Sequence, residues 1–147
     1  MEAPIMVFGT IVMDRVRRIA SLPPLGGYAE YHDEQLFLGG EAANTAVALA
    51  KWGQSVELVS NSIGSGADAD FLRAKLRSAG LSDEYVPASD ESTPTCDVYL
   101  TPNGDRTMFG RALSRIGSEL PPTSARWFTV DPNLGMESRN AVREAQA

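Results

Sequence analysis

Gly39-Gly40, Asn44, Asp14 and Asp131 are the residues of this chain whose types and spacing could do chemistry, and the chemistry they suit is the holding of a hydroxyl-rich molecule. Gly39 and Gly40 carry no β-carbon, so the backbone can turn sharply there and let a ligand approach its N–H groups. They open the stretch GGEAANTAVALAKWG, in which Ala43, Ala46, Val47 and Ala50 fall on one apolar stripe of helical period and Gly53 supplies the stop. The N-terminus of such a helix has free N–H donors and a local field that favours electron-rich oxygen. Asn44, within the first turn, adds one donor and one acceptor to the same space. Asp14 ends the otherwise apolar segment GTIVMD, where it serves equally as a turn carboxylate or as an acceptor for hydroxyls. Asp131 follows the apolar run Trp127 to Val130, so it either closes a turn or faces the ligand side of an open sheet from a strand's C-terminal end. A polyol would find both donors and acceptors in this set.

The elements that must position these residues alternate in type. Ile5 to Phe8 reads as a buried strand opening at Gly9, and Val56 to Ser60 as another, with the Ala-rich helix between them; strand, helix, strand implies a βαβ unit and a parallel sheet. Leu72, Leu76 and Ala79, widened by Phe71 and ended by Gly80, predict a second helix. Arg15 to Ala20 and Tyr28 to Leu38 are extended but polar, separated by the turn SLPPLGG, which places them in a small exposed sheet outside the main body. Glu84 to Pro87 reads as a short strand. Thr95 to Thr101 alternates, with Cys96, Val98 and Leu100 on one face, and Asn103-Gly104 turns it back into Arg106 to Phe109. ALSRIGSELPPTSA reads as linker, Trp127 to Val130 as a core strand and Glu137 to Ala147 as a helix. The fold class is α/β.

Composition narrows the function. The 147 residues suffice for one domain with a real core, and 43% hydrophobic with 22% charged is an ordinary globular balance. A formal charge of −6 argues against a general nucleic-acid binder, which needs clustered Lys and Arg. No apolar run approaches the length of a membrane span, and MEAPIMVFG has no basic region ahead of its apolar residues, so a cytoplasmic home is the default expectation. Cys96 and His32 are each the sole residue of their type, which removes an internal disulfide and Cys or multi-His metal clusters; a carboxylate-held magnesium stays open. Gly64, Gly66 and Ala69 form a literal G-x-G-x-x-A after a strand and before a helix, but the dinucleotide fingerprint belongs on the first strand of its unit.

Gly39-Gly40, Asn44, Ala46 and the Leu49-Ala50 to Gly53 close resemble the N-terminal signature of the ribokinase-like (PfkB) carbohydrate kinases, Gly-Gly-x-x-x-Asn-x-Ala followed by Leu-Ala-x-x-Gly. The GTIVMD segment is similar to that family's Gly-Ser-x-Asn-x-Asp start. The resemblance implies a parallel sheet flanked by helices, with a β-sheet lid from strands about 12–20, 28–38 and 95–110. It implies a sugar or nucleoside held by Asp14, Gly39, Gly40 and Asn44, with Asp131 a further candidate, and a possible homodimer through the lid. ATP and Mg2+ would serve the full-length parent, whose catalytic loop, Asp-Thr-x-Gly-Ala-Gly-Asp, has no counterpart in these residues; GSGAD at 64–68 differs in order and position, so Asp68 is not assigned as a base. The 147-residue piece is thus expected to be a substrate-binding half with no catalytic residue or metal site of its own. Val12 and Glu41 stand where ribokinases tend to have asparagine and lysine, so the resemblance does not name ribose. Two other readings are a nonenzymatic sugar-binding module and a dinucleotide-binding fragment built on Gly64 and Gly66.

Overall fold

A computed structural model describes residues 4–113, 120–134 and 136–146. Strand β1 (Ile5–Gly9) lies at the centre of a three-stranded parallel sheet, with β4 (Val56–Ser60) on one side and β7 (Trp127–Val130) on the other. Its apolar sequence follows from burial on both faces. Val7 enters a core with α1 (Glu41–Lys51) and α2 (Ala67–Ser78), while Met6 and Phe8 pack on the opposite side with Val59 and with Ala141 of α3 (Met136–Ala145). Helices thus cover both faces. The stripe expected for α1 is the one buried: Ala42, Ala43 and Ala46 have almost no exposure, and their small side chains let the helix lie close on β1 and β4. Leu72 and Leu76 of α2 are likewise fully buried, and Gly80 follows the helix end in the left-handed region.

The second sheet is four-stranded, in the order β3-β2-β5-β6. The chain passes from β1 through Thr10 and Ile11 directly into β2 (Val12–Ile19), which pairs antiparallel with β3 (Tyr31–Gly39) and parallel with β5 (Thr95–Leu100). β6 (Arg106–Arg111) returns antiparallel to β5 across the expected Asn103-Gly104 turn. β3 leads straight into Gly40 and α1, so this polar sheet and the helix that follows it share one junction.

Two expectations need correction. Glu84 to Pro87 is not a strand: Ser60 N–H donates to Tyr85 O at 3.2 Å and Ile63 N–H to Pro87 O at 2.8 Å, but among the described residues the segment is joined only by the isolated bridge of Ile63 with Ala88. Pro87 has no N–H to give, so the segment satisfies the end of β4 without forming a ladder. The extended run expected from Tyr28 starts at Tyr31, because β2 ends at Ile19, opposite Tyr31, and residues 28–30 meet no partner strand. Of the expected linker, residues 114–119 lie outside the described residues, as does Ala147 at the end of the last helix.

Candidate functional site

Three strand ends and one helix start converge at the junction of the two sheets. β1 ends at Gly9, β4 at Ser60 and β7 at Val130, all at the C-terminal edge of the parallel sheet, where open α/β sheets hold ligands. The sequence leaves this edge by Thr10-Ile11, Asn61-Ser62 and Asp131-Pro132, and α1 begins beside it.

Asp14 lies two residues into β2, opposite Phe37 of β3 and Cys96 of β5. Its carboxylate rests on Gly39: a β-carbon added to Gly39 would stand 2.3 Å from Asp14 Oδ2 and force the carboxylate to shift. Among the described residues no donor hydrogen-bonds this carboxylate, and burial pushes its pKa above the usual 3.8. A half-buried acceptor without a partner is a costly feature unless a ligand supplies the donors. The same burial, and the charges of Asp14 and Asp97, push the Cys96 thiol up, so it stays protonated at neutral pH.

The shift carries a sign that can be checked. A carboxyl whose folded pKa is raised favours the folded state when protonated, and this contribution is lost as pH rises through the raised value. Asp14→Asn should therefore unfold at a higher temperature than the wild type at pH 7, with the difference closing below pH 3.8; thermal melts of both proteins across that range are the measurement.

Gly40 caps α1 with φ +96, and a β-carbon there would stand 2.3 Å from Thr10 O. The free donors of the helix start are divided. Glu41 N–H goes to Thr10 Oγ1 at 3.1 Å and Ala43 N–H to Thr10 O at 3.2 Å, whereas Ala42 N–H between them has no partner among the described residues. Asn44 is exposed in the first turn of the helix, and its side chain makes no hydrogen bond among the described residues. It lines a surface cavity of about 330 Å³ with Phe37, Leu38, Val47 and Lys51.

Asp131 is 5% exposed, and protein donors already occupy its carboxylate. Oδ2 accepts from Thr10 N–H at 3.1 Å and from the Thr10 hydroxyl, and Oδ1 accepts from Asn133 N–H at 2.8 Å. Two residues that the sequence reading passed over thus carry the junction: Thr10, and Asn61, whose Oδ1 accepts from Ile11 N–H at 2.7 Å and whose Nδ2 donates to Ile11 O at 3.1 Å. A polar residue closing an apolar strand was the signal available for both.

Other polar residues have structural partners. Asp68 receives Arg15 Nη2 on both oxygens, at 2.9 and 3.0 Å, tying the four-stranded sheet to the start of α2. Arg17 pairs with Glu34 at 2.6 Å and with Asp97, and its guanidinium lies over Tyr31 and Tyr99. Gly64 is needed for packing, since a β-carbon there would stand 2.2 Å from Glu91 O. Among the described residues no group of three His, Cys, Asp or Glu could hold a metal ion, and no helix is long and apolar enough to cross a membrane.

Residues 3–112 match the model of the pfkB family carbohydrate kinases, and the chain belongs to that family. An uncharacterized sugar kinase of Dictyostelium discoideum is 28% identical over 96% of this chain and 50% of its own length. The nucleoside kinase of Methanocaldococcus jannaschii, an archaeal member of the ribokinase family, superposes with a TM-score of 0.75 at 18% identity, over 95% of this chain and 49% of that one. The ribokinase of Arabidopsis thaliana, solved with ribose and ATP, gives 0.65 at 25% identity over 76% and 36%. The α/β fold with a helix-flanked parallel sheet is thus that of the ribokinase family, and the chain spans about half the length of the curated relative it matches.

Proposed function

We propose that this chain is the substrate-binding half of an ATP-dependent kinase that phosphorylates a hydroxyl of a sugar or nucleoside. One observation carries the reading: the Asp14 carboxylate, pressed on Gly39 and without a donor among the described residues, stands at the same junction as the helix start where Ala42 N–H likewise has no partner among them. An acceptor-only group beside backbone donors matches a polyol, whose hydroxyls both give and take. In this reading Asp14, the Gly39-Gly40 backbone and Asn44 hold the substrate, and Asp131 stands behind them. The sheet β3-β2-β5-β6 closes over the substrate as a lid and keeps water from competing with its hydroxyl. Phe37 and Met108 are well exposed on the face of that sheet that carries Asp14, which supports a homodimer made through the lid.

The ligands named for the relatives guide the substrate class: the Arabidopsis enzyme was solved with ribose and ATP, and the Methanocaldococcus enzyme is a nucleoside kinase. Among the described residues no group of three His, Cys, Asp or Glu comes together, and no step of phosphoryl transfer is assigned to them. Transfer depends on positioned charge around the phosphates, and the 147 residues by themselves are expected to bind substrate without turning over ATP. Calorimetric titration with ribose, fructose and inosine, together with an ATP-consumption assay, tests both halves of the proposal. Turnover by the pure chain would overturn the division of labour, and no binding of any polyol would overturn the site. Polyol binding that ATP leaves unchanged, in the longest natural form of the protein, would favour a nonenzymatic sugar-binding module.

A further inference from the structure

We propose that Asp131 and Thr10 form a positioning pair that fixes the N-terminus of α1 from behind, so that Asp131 acts on the sugar site without touching the sugar; the consequence for sugar rests on the reading above. The turn Thr10-Ile11 is gripped from two sides. Asn61, at the end of β4, holds both polar groups of the Ile11 backbone. Asp131, at the end of β7, holds both donors of Thr10, its N–H and its hydroxyl. The backbone of Asp131 is itself fixed, its N–H donating to Phe8 O at 2.9 Å and its carbonyl accepting from the Ser138 hydroxyl of α3 at 2.5 Å.

The direction of these bonds makes the pair a relay. The Thr10 hydroxyl has one proton, and it donates that proton's hydrogen bond to Asp131 Oδ2. The oxygen of that hydroxyl is thereby turned, lone pair outward, to Glu41 N–H, the first donor of α1. Thr10 O receives Ala43 N–H, so one residue fixes the helix start at two points, and Ala42 N–H between them has no partner among the described residues. A buried carboxylate also places its charge behind the positive end of the helix. With Thr10 N–H and Thr10 Oγ1 on Oδ2 and Asn133 N–H on Oδ1, both oxygens of the buried Asp131 are engaged by the protein.

Amide hydrogen exchange measured by NMR, with ribose titration in parallel, tests the pair. Thr10→Val keeps the shape of the side chain and removes the hydroxyl; Asp131→Asn turns one accepting oxygen into a donor; Thr10→Ser keeps the hydroxyl. In Thr10→Val and Asp131→Asn the Glu41 amide should exchange about fivefold to tenfold faster, the loss of one hydrogen bond, while the amides of β4 and α2 hold their rates and Thr10→Ser stays near wild type. Ribose affinity should fall by a similar factor in the same two variants and recover in Thr10→Ser. An unchanged Glu41 amide, or an increase spread evenly over β4 and α2, overturns the pair. So does a loss of ribose affinity in Asp131→Asn with Glu41 exchange unchanged, which would make Asp131 a direct ligand. If the wild type binds no polyol, the sugar reading fails, and Glu41 exchange still decides the relay.

Discussion

Asp14→Ala is expected to weaken polyol binding by roughly tenfold to a hundredfold while leaving the folded protein no less stable. A hydrogen bond to a charged group is worth about 1.5–3 kcal/mol, and every 1.4 kcal/mol is about a factor of ten in affinity. One hydroxyl held by the carboxylate therefore accounts for the range, and a second would push the loss to its upper end. Stability moves the other way because the Asp14 carboxylate has no donor among the described residues, and burial raises its pKa. Removing an unpaired, partly desolvated charge takes away a cost that the free protein bears. Calorimetry and a thermal melt on the same preparation separate the two effects. A variant that melts well below wild type and binds ribose as well as before would make Asp14 a structural carboxylate and remove the basis of the site.

Gly40→Ala is expected to be the more damaging change to the fold, costing about 3 kcal/mol or more. Two penalties add. A residue with a β-carbon pays about 1–3 kcal/mol to sit at a sparsely populated positive φ, and Gly40 is held at +96. The new β-carbon would also stand 2.3 Å from Thr10 O and 2.8 Å from Ile11 Cα, both backbone atoms in a turn gripped by Asn61 and Asp131. Gly53→Ala is the control: its φ is +80, and nothing lies within 4 Å of the added carbon. It should cost about 1 kcal/mol, the backbone penalty alone. Chemical denaturation of the two variants beside wild type gives the crowding at Gly40 as their difference; equal losses would show that the Thr10 turn yields freely.

Much of the architecture is legible in the residues because burial imposes period. β1, with buried side chains on both faces, reads as an unbroken apolar run, and the helices read by the stripe they turn to the sheet. The polar sheet is legible for the opposite reason, since strands without an apolar face do not belong at the centre of a core. The failure at Glu84 to Pro87 has a local cause: the segment does bond to β4, but through scattered contacts and with a proline lacking an N–H, and composition does not separate that from a ladder. Gly39 and Gly40 are marked by type, and the sequence assigns them to a sharp turn and to ligand approach without showing what crowds them. The tertiary structure adds Asp14 above one and Thr10 behind the other.

The sequence by itself determined the helices, the buried strands, the Asn103-Gly104 turn and the residues that match the pfkB signature, because each of these depends on neighbours within a few positions. Only the tertiary structure decided which donors reach the two aspartates. Asp14 and Asp131 both follow apolar runs, and residue type and position alone leave each as either a turn carboxylate or an acceptor for a ligand. Folding leaves Asp14 over Gly39 with no donor among the described residues, and brings Asp131 across 121 positions to Thr10, whose N–H and hydroxyl it holds. A carboxylate's role is set by which donors reach it, and those donors come from strands far apart in the chain that meet at one edge of the sheet.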